Sequence, residues 1–217
     1  MKEIKITKDH LVPFVSKDET RPGLADVFRQ HGYVIASDGH LLIRVPENIV
    51  DDLAQIPEQG LPNTDNVIPK ELPCNRPITK DCLLKSLAKA PKVEEKEKCE
   101  DCHGSGKVEW TYEARDGYEY TDKFECPVCG GKGHHGMTGE LVPDPQQLYS
   151  LAGGIMNPEC LNDLIRVMET FKVKKMSLRS SDSYKAIFTI GEIQILRAFV
   201  VIENEDRLLP EEIINIK

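Results

Sequence analysis

No stretch of this sequence approaches the roughly 20 consecutive apolar residues that a membrane-crossing helix needs. Residues 1–5 also lack the apolar core of a signal peptide. Hydrophobic residues make up 40% of the chain and charged residues 29%, a balance typical of a folded globular protein rather than a disordered one. These features predict a cytoplasmic protein that does not associate with membranes.

Motifs of catalysis are missing as well. The chain has no Walker A sequence and no dinucleotide-binding glycine pattern. His10, His31 and His40 are scattered through it, and no nucleophile with an adjacent base stands out. We therefore expect a protein that is not an enzyme.

Positive charge is in short supply, with 28 Lys and Arg against 36 Asp and Glu and a formal net charge of −8. Residues 93–137 alone contain 11 acidic and 6 basic side chains, a net charge of −5. Because phosphate contacts come mainly from Lys and Arg, this segment is not expected to read DNA. Binding to a protein partner, or structural bracing, suits it better.

Two short segments dominate what the sequence does contain. Residues 99–106 and 126–133 each read C-x-x-C-x-G-x-G. Four thiolates in two such pairs can surround one zinc ion tetrahedrally, in a closed structural site without a catalytic position. The glycines let the backbone fold back so that N–H groups point at the sulfurs. The predicted zinc ligands are Cys99, Cys102, Cys126 and Cys129.

Disulfide or redox roles suit these cysteines less well than metal binding. Two disulfides would require an oxidising compartment, and a thioredoxin-like pair would require a βαβ setting that the pattern does not offer. The seven cysteines, four of them in metal spacing, favour a reducing cytoplasm. Iron in place of zinc stays open, since four thiolates accept either metal. Three neighbouring histidines are expected to be bystanders: His103, His134 and His135.

The repeated C-x-x-C-x-G-x-G resembles the cysteine-rich module of the J-domain co-chaperones. That module carries four repeats and two zinc ions, whereas this chain has two repeats, enough for one ion. The chain also has no His-Pro-Asp tripeptide, so the J domain itself is missing. The resemblance covers about residues 99–133 and implies the metal far more than a chaperone function.

Hydrophobic periodicity predicts two helices. Thr79 is placed to cap a helix that runs to about residue 89. Asn157 is placed to cap a second helix, with Pro158 at its first position and lysines 172 and 174 near its end. Residues 49–56 carry a weaker helical signal.

Alternating and apolar runs predict several strands. They fall at residues 2–7, in a meander from 24 to 45, near 66–68, at 107–112 and 118–124, and at 175–180, 184–190 and 193–202. Residues 94–98 and 138–155 are expected to be connections. Four aromatic residues cluster in the 107–124 hairpin: Trp110, Tyr112, Tyr118 and Tyr120. Cross-strand packing accounts for them by default, and an exposed patch for a partner is the alternative.

Residues 35–42 read I-A-S-D-G-H-L-L, which is similar to the A-T-D-G-H-x-L segment of the bacterial sliding clamp, the DNA polymerase III beta subunit. Arg21 and Pro22 also fit that family, since they lie at the right distance ahead of the hairpin. An Asp-Gly pair between apolar runs is equally the ordinary signature of a hairpin turn. The resemblance implies a fold in which a helix and antiparallel strands are repeated twice.

Residues 157–161 read N-P-E-C-L and are similar to the N-P-x-Y-L helix of the last clamp domain. Cys160 stands where that family usually has an aromatic residue, and residues 198–202 replace its M-P-M-R-like ending. The clamp resemblance covers about residues 1–50 and 155–203. A clamp subunit has three such domains, and this chain has material for one.

These observations predict an α+β fold, with an antiparallel sheet and two helices in a single clamp-like domain, plus an inserted zinc-binding β-hairpin module. The domain comprises residues 1–92 and 138–217, and the module residues 93–137. The predicted function is a non-enzymatic, clamp-like accessory protein of DNA replication or repair. The alternative is a zinc-stabilised protein-interaction adaptor, chaperone-like, with no nucleic-acid role.

A protein partner and an oligomer are expected, and DNA is a candidate partner through the basic stretch 166–185. A solvated helix end and strand surface would account for the same residues. The stretch contains Arg166, Lys172, Lys174, Lys175, Arg179 and Lys185.

Overall fold

The computed structural model describes residues 5–18, 20–60, 62–69, 72–115, 117–200 and 213–216. The chain divides into two compact units. The first unit comprises Met1–Ala90 with Pro145–Lys217, and the second comprises Pro91–Asp144.

Three α-helices and fourteen strands lie within the described residues. The helices are α1 (Lys8–Leu11), α2 (Lys80–Leu87) and α3 (Pro158–Thr170). The strands are β1 (Phe28–Gln30), β2 (Tyr33–Ser37), β3 (Leu41–Pro46), β4 (Arg76–Thr79), β5 (Lys92–Lys98), β6 (Lys107–Glu113), β7 (Glu119–Glu125), β8 (His134–Pro143), β9 (Leu148–Leu151), β10 (Gly154–Met156), β11 (Lys175–Ser181), β12 (Lys185–Ile190), β13 (Ile193–Ala198) and β14 (Ile213–Asn215).

Seven strands of the first unit form one antiparallel sheet in the order β1-β2-β3-β13-β12-β11-β4. In the central pair β3–β13, Ile43 lies opposite Ile195. Strands β1 and β2 continue the sheet beyond β3, and β12 and β11 continue it beyond β13. Helix α1 precedes β1–β3, and α3 precedes β11–β13. The sheet therefore joins two halves, each a helix followed by three antiparallel strands.

Apolar side chains cover both faces of this sheet. In β2, Val34 and Ala36 belong to the larger buried cluster, whereas Ile35 between them belongs to a smaller one. Because successive strand residues point to opposite faces, the two clusters lie on opposite faces of the sheet. Leu161 and Leu164 of α3 are fully buried in the larger cluster. Burial on both faces explains why β2 contains three consecutive buried apolar residues, Val34, Ile35 and Ala36.

The two longer helices begin where their cap residues predict. The Asn157 side-chain oxygen accepts the backbone N–H of Cys160 at 3.0 Å, and the Thr79 hydroxyl accepts that of Cys82 at 3.2 Å. Each bond satisfies one of the backbone donors that a helix start leaves without a partner. Pro158 occupies the first position of α3, where its missing N–H costs nothing. Both predicted helix starts are confirmed.

The turn between β2 and β3 is built by Asp38 and Gly39. The Asp38 carboxylate accepts the backbone N–H groups of His40 and Leu41 at 2.8 and 2.7 Å. Gly39 has φ +95°, a conformation that favours glycine. Arg21 donates a hydrogen bond to the Asp38 carbonyl at 3.4 Å. The two N-terminal segments that resemble the clamp family therefore meet at one turn.

A charged pair inside the first unit was not predicted from the sequence. Arg197 Nε on β13 lies 3.2 Å from Asp163 Oδ2 on α3, and the two side chains are only 7% and 13% exposed. Burial raises the pKa of the Asp163 carboxyl, while the neighbouring Arg197 and Arg166 oppose that rise. The pair ties α3 to the sheet.

Two predicted connections contain strands. Residues 94–98 belong to β5, and residues 138–155 include the end of β8, all of β9 and part of β10. Strand β14 near the C-terminus pairs in parallel with β9 and was not predicted. Charged and glycine-rich composition is not typical of strands, so the sequence alone did not reveal them. Their formation depends on pairing with partners that are distant in the sequence.

Two further predictions for the first unit were wrong. Residues 66–68 form a turn rather than a strand, and Ile68 is buried against the smaller cluster without strand pairing. The helical signal at 49–56 corresponds only to short 3₁₀ turns.

Of the predicted strand at 2–7, Ile6 forms an isolated bridge, and residues 2–4 lie outside the described residues. Strand β13 ends before residues 201 and 202, which also lie outside them.

The second unit consists of two antiparallel ribbons of two strands each, β5 with β8 and β6 with β7. One cysteine pair lies between β5 and β6, and the other between β7 and β8. Within its described residues, the hydrophobic cluster of this unit is the four cysteines with Val108 packed against them. A unit with so small an apolar core needs another source of stability.

Candidate metal centre

The four predicted ligands come together at one point of the second unit. Their sulfur atoms all lie within 4.8 Å of one another. Each cysteine is buried, with between 0% and 8% of its surface exposed. Cys99 and Cys102 follow β5, and Cys126 and Cys129 follow β7. Four buried thiols this close can hold a metal ion.

The sulfur spacing fits tetrahedral coordination. Four sulfurs about 2.3 Å from a central ion stand about 3.8 Å apart. The sulfurs of Cys99 and Cys126 are 3.9 Å apart, and those of Cys102 and Cys129 are 3.8 Å apart. A disulfide would require about 2.05 Å. These two distances suit a metal ion held by four sulfurs and exclude a disulfide within either pair.

Backbone N–H groups point at two of the sulfurs. The Gly106 nitrogen lies 3.3 Å from the sulfur of Cys102, and the Gly133 nitrogen lies 3.2 Å from that of Cys129. In both cases the donor is the second glycine of C-x-x-C-x-G-x-G. Such donors share the negative charge of a thiolate and orient it toward the metal.

The same glycines interlock the two repeats. The Gly106 carbonyl accepts the backbone N–H of Cys126 at 2.8 Å, and the Gly133 carbonyl accepts that of Cys99 at 3.0 Å. Each repeat thus positions the first ligand of the other repeat. The two turns form a reciprocal pair around the sulfurs.

Only glycine fits at these two positions. Gly106 and Gly133 have φ +72° and +77°. A Cβ at Gly106 would collide with the carbonyl oxygen of Gly131, and a Cβ at Gly133 with that of Gly104. Close backbone approach and the left-handed conformation both exclude a side chain. The second glycine of each repeat is therefore a packing requirement.

The electrostatic surroundings favour ionisation of Cys102. Burial disfavours its thiolate, but hydrogen bonds from the Gly106 N–H and the Cys99 thiol stabilise it and hold the pKa at about 7, below the ordinary 9.0. The thiolate is the form that binds metals. Backbone hydrogen bonds lower the pKa of the neighbouring Cys99 thiol, but burial and the hydrogen bond that this thiol shares with Cys102 outweigh them and raise it to about 11. The cluster therefore favours the thiolate at Cys102 and the thiol at Cys99.

The three neighbouring histidines are not part of this cluster of possible ligands, as far as the described residues go. His103 is exposed and adopts φ +51° in the turn of the first pair. His134 lies on β8 opposite Lys98, and His135 is exposed. The four cysteines come together without them.

The structure separates the basic residues that the sequence grouped as candidate DNA contacts. Arg166 on α3 forms an ion pair with Asp163 at 2.8 Å and lies 5.0 Å from the centre of the Phe14 ring. Arg179 on β11 donates to the Leu72 carbonyl at 3.1 Å. Both guanidinium groups are engaged within the protein.

The lysines of that stretch are more accessible. Lys172, Lys174 and Lys175 lie between the end of α3 and the start of β11, and all three are exposed. Lys185 is half-buried at the start of β12. The surface that this stretch offers to phosphates is therefore a group of three lysines rather than six basic residues.

No helix in the described part of the chain is both long and apolar enough to cross a membrane. No protein-family model matches the chain, and no similar protein is found among curated sequences.

Solved structures similar to this chain are bacterial DNA polymerase sliding clamps. The clamp (DNA polymerase III subunit beta) from Bartonella birtlesii matches with a TM-score of 0.47 and 14% identity, over 89% of this chain and 64% of the clamp. The Caulobacter crescentus pol III beta matches with a TM-score of 0.45 and 12% identity, over 89% and 63%. The Bacillus subtilis clamp gives 0.45 and 12%, over 89% and 60%. The chain spans less than two thirds of the length of these clamps.

Proposed function

We propose that this protein is a non-enzymatic accessory protein of the sliding-clamp type, acting in DNA replication or repair, with a second unit held together by one structural zinc ion. The observation that carries the clamp role is the β3–β13 pair, which joins two helix-plus-three-strand halves in one sheet. The clamp family, which residues 35–42 and 157–161 resemble, has this twofold repetition. One resembling segment forms the hairpin of the first half, and the other starts the helix of the second.

The charges on helices α2 and α3 indicate how strongly these helices would attract DNA. Helices α2 and α3 together carry three basic and four acidic side chains. Lys80 of α2 is further paired with Glu169 of α3 at 2.6 Å. Because phosphate binding draws on free Lys and Arg, this surface attracts DNA weakly. Retention of DNA would then depend on several copies enclosing it.

Two measurements on the full chain test the clamp role. Size-exclusion chromatography with light scattering should show an oligomer. A salt-titrated binding assay should show weak, sequence-independent DNA affinity that falls as salt is raised. A monomer without DNA affinity even at low salt would overturn the ring form of the proposal.

The zinc assignment rests on the distances between the sulfurs and on the number of cysteines. Four thiolates would occupy all four coordination positions of a tetrahedral zinc ion. Elemental analysis of the purified protein should find one zinc per chain. The protein should also be colourless, since iron bound by thiolates absorbs visible light. Bound iron, or a folded protein without metal, would contradict the assignment.

A second candidate function is a protein-interaction adaptor without a nucleic-acid role. Large exposed aromatic side chains on the second unit and its negative charge favour this candidate. The DNA-binding assay separates the two functions, since the adaptor has no DNA affinity at any salt concentration.

A further inference from the structure

The β6–β7 ribbon has one face made almost entirely of aromatic and apolar residues. The strands pair in register, and alternate residues of each strand share a face. We call this surface the aromatic face. Its six members are Val108, Trp110, Tyr112, Tyr120, Asp122 and Phe124.

The aromatic side chains of this face are open to solvent. Trp110 is 57% exposed, Tyr112 67%, Tyr120 60% and Phe124 53%. Trp110 and Phe124 make an edge-to-face contact with ring centres 6.2 Å apart. That contact covers little of either ring, so cross-strand packing does not account for the face. Contiguous exposed apolar surface of this kind marks an interaction site.

The opposite face of the same ribbon is polar. Its register places two lysine–glutamate pairs, one threonine pair and one glutamate pair across the strands, with the threonine hydroxyls 3.3 Å apart. The pairs on this face are Lys107 with Glu125, Glu109 with Lys123, Thr111 with Thr121, and Glu113 with Glu119. The ribbon therefore separates a water-facing surface from one suited to a partner.

The charge of the second unit selects the partner. Residues 93–137 carry a net charge of −5 before any thiolate is counted. Asp122 is the one charged member of the aromatic face, and it lies directly opposite Trp110. A carboxylate among aromatic rings suits a cation, because the rings attract positive charge to their faces. Arginine fits best, since its flat guanidinium stacks on rings and bonds carboxylates.

We propose that the aromatic face binds an arginine- and lysine-rich segment of a partner protein, with a cationic side chain between Trp110, Tyr112 and Asp122. Single-stranded nucleic acid could also stack on such rings. Its phosphates, however, would meet a unit with a net negative charge. The charge therefore favours the basic polypeptide over the nucleic acid.

Trp110 provides the measurement, because it is the only tryptophan in the chain. The zinc-loaded full-length protein is titrated with a synthetic arginine–leucine repeat peptide, and tryptophan emission is recorded. A saturable change that weakens as salt rises is expected. A matched glutamate–leucine peptide and an oligothymidylate should produce no saturable change.

Variants of the aromatic face locate the binding, measured as anisotropy of a labelled arginine–leucine peptide. Asp122→Lys should weaken binding by at least about tenfold, since like charges then face each other. Tyr112→Ala should weaken it by roughly fivefold through loss of a cation–ring contact. Thr121 lies between Tyr120 and Asp122 in β7 but on the polar face of the ribbon. Thr121→Ala should therefore change binding by less than about twofold. Metal content and circular dichroism confirm that each variant is folded.

Several results would overturn the proposal. They are no binding of the arginine–leucine peptide at low salt, a saturable change in Trp110 emission at lower concentrations of oligothymidylate than of the peptide, or equal losses in Thr121→Ala and Tyr112→Ala. Self-association that Tyr112→Ala abolishes would show that a second copy occupies the face. None of these measurements requires ring formation or DNA binding. The binding of a basic peptide by the aromatic face is therefore tested independently of the clamp role.

Discussion

The backbone N–H of Gly106 lies 3.3 Å from the sulfur of Cys102, and the carbonyl of the same glycine accepts the N–H of Cys126 at 2.8 Å. One residue therefore supports a ligand of its own repeat and positions a ligand of the other. Gly133 makes the equivalent two bonds in the second repeat. The polypeptide itself brings the four thiols to coordination distance.

Replacing Gly106 with alanine should damage the metal centre. The added Cβ collides with the backbone carbonyl oxygen of Gly131, and φ +72° is strained for alanine. We expect a loss of more than about 2 kcal/mol in the stability of the second unit, measured as easier zinc removal by a chelator. Gly117→Ala is the matched control, since Gly117 has φ +84° but nothing within 4 Å of its Cβ. Equal effects of the two substitutions would show that the collision is unimportant.

Removing a ligand should unfold the second unit and leave the first one intact. Cys102→Ser should weaken zinc binding by more than about a hundredfold, since even a group that only supports a ligand costs ten- to a hundredfold. Hydrogen exchange should then show lost protection in β6 and β7 with β12 and β13 still protected. Cys74→Ser, at an exposed cysteine outside the cluster, should change neither. Unfolding of the whole protein by Cys102→Ser would contradict the division into two units.

Breaking the buried ion pair should destabilise the first unit. Asp163→Ala leaves Arg197 charged and only 7% exposed, which should cost roughly 3 kcal/mol in the free energy of unfolding. Chemical denaturation measures this cost, and Glu159→Ala, at an exposed residue of the same helix, is the control. The double variant Asp163→Leu with Arg197→Met should recover most of the loss. If it does not, packing rather than charge explains the effect of Asp163→Ala.

Removing the cap of α3 should have a smaller effect. Asn157→Ala deletes the acceptor for the Cys160 N–H and should lower the free energy of unfolding by about 1 kcal/mol. Asn157→Asp keeps an oxygen acceptor and should remain close to the original stability. A loss as large in Asn157→Asp as in Asn157→Ala would indicate that another property of the amide matters.

Local chemistry made several features predictable. The two C-x-x-C-x-G-x-G repeats indicated four metal-ligating thiols, and these come together in the structure. Asn157 and Thr79 cap helices because their side chains bond backbone groups only three residues away. The Asp38–Gly39 turn is equally local. Signals of this kind depend on a few consecutive residues and can be recognised without knowledge of the fold.

Features that depend on distant partners were missed. Strand β5 is rich in lysine and glutamate and looked like a connection, yet it pairs with β8 across the cysteine segments. Residues 66–68 looked like a strand, yet within the described residues no strand pairs with them, and Ile68 is buried in the smaller hydrophobic cluster. The Asp163–Arg197 pair joins residues that are far apart in the chain. Asp122 acquired its significance only through its register with Trp110.

The amino-acid sequence alone predicted the four cysteines that cluster, the two helix starts and the hairpin turn, because each depends on short-range hydrogen bonding or on the spacing of the cysteines. The tertiary structure decided the rest: the joining of two halves at β3 and β13, the burial of a charged pair and the gathering of aromatic rings on one exposed face. Those arrangements depend on which distant strands pair and in what register, and a one-residue shift in register would move every side chain to the other face.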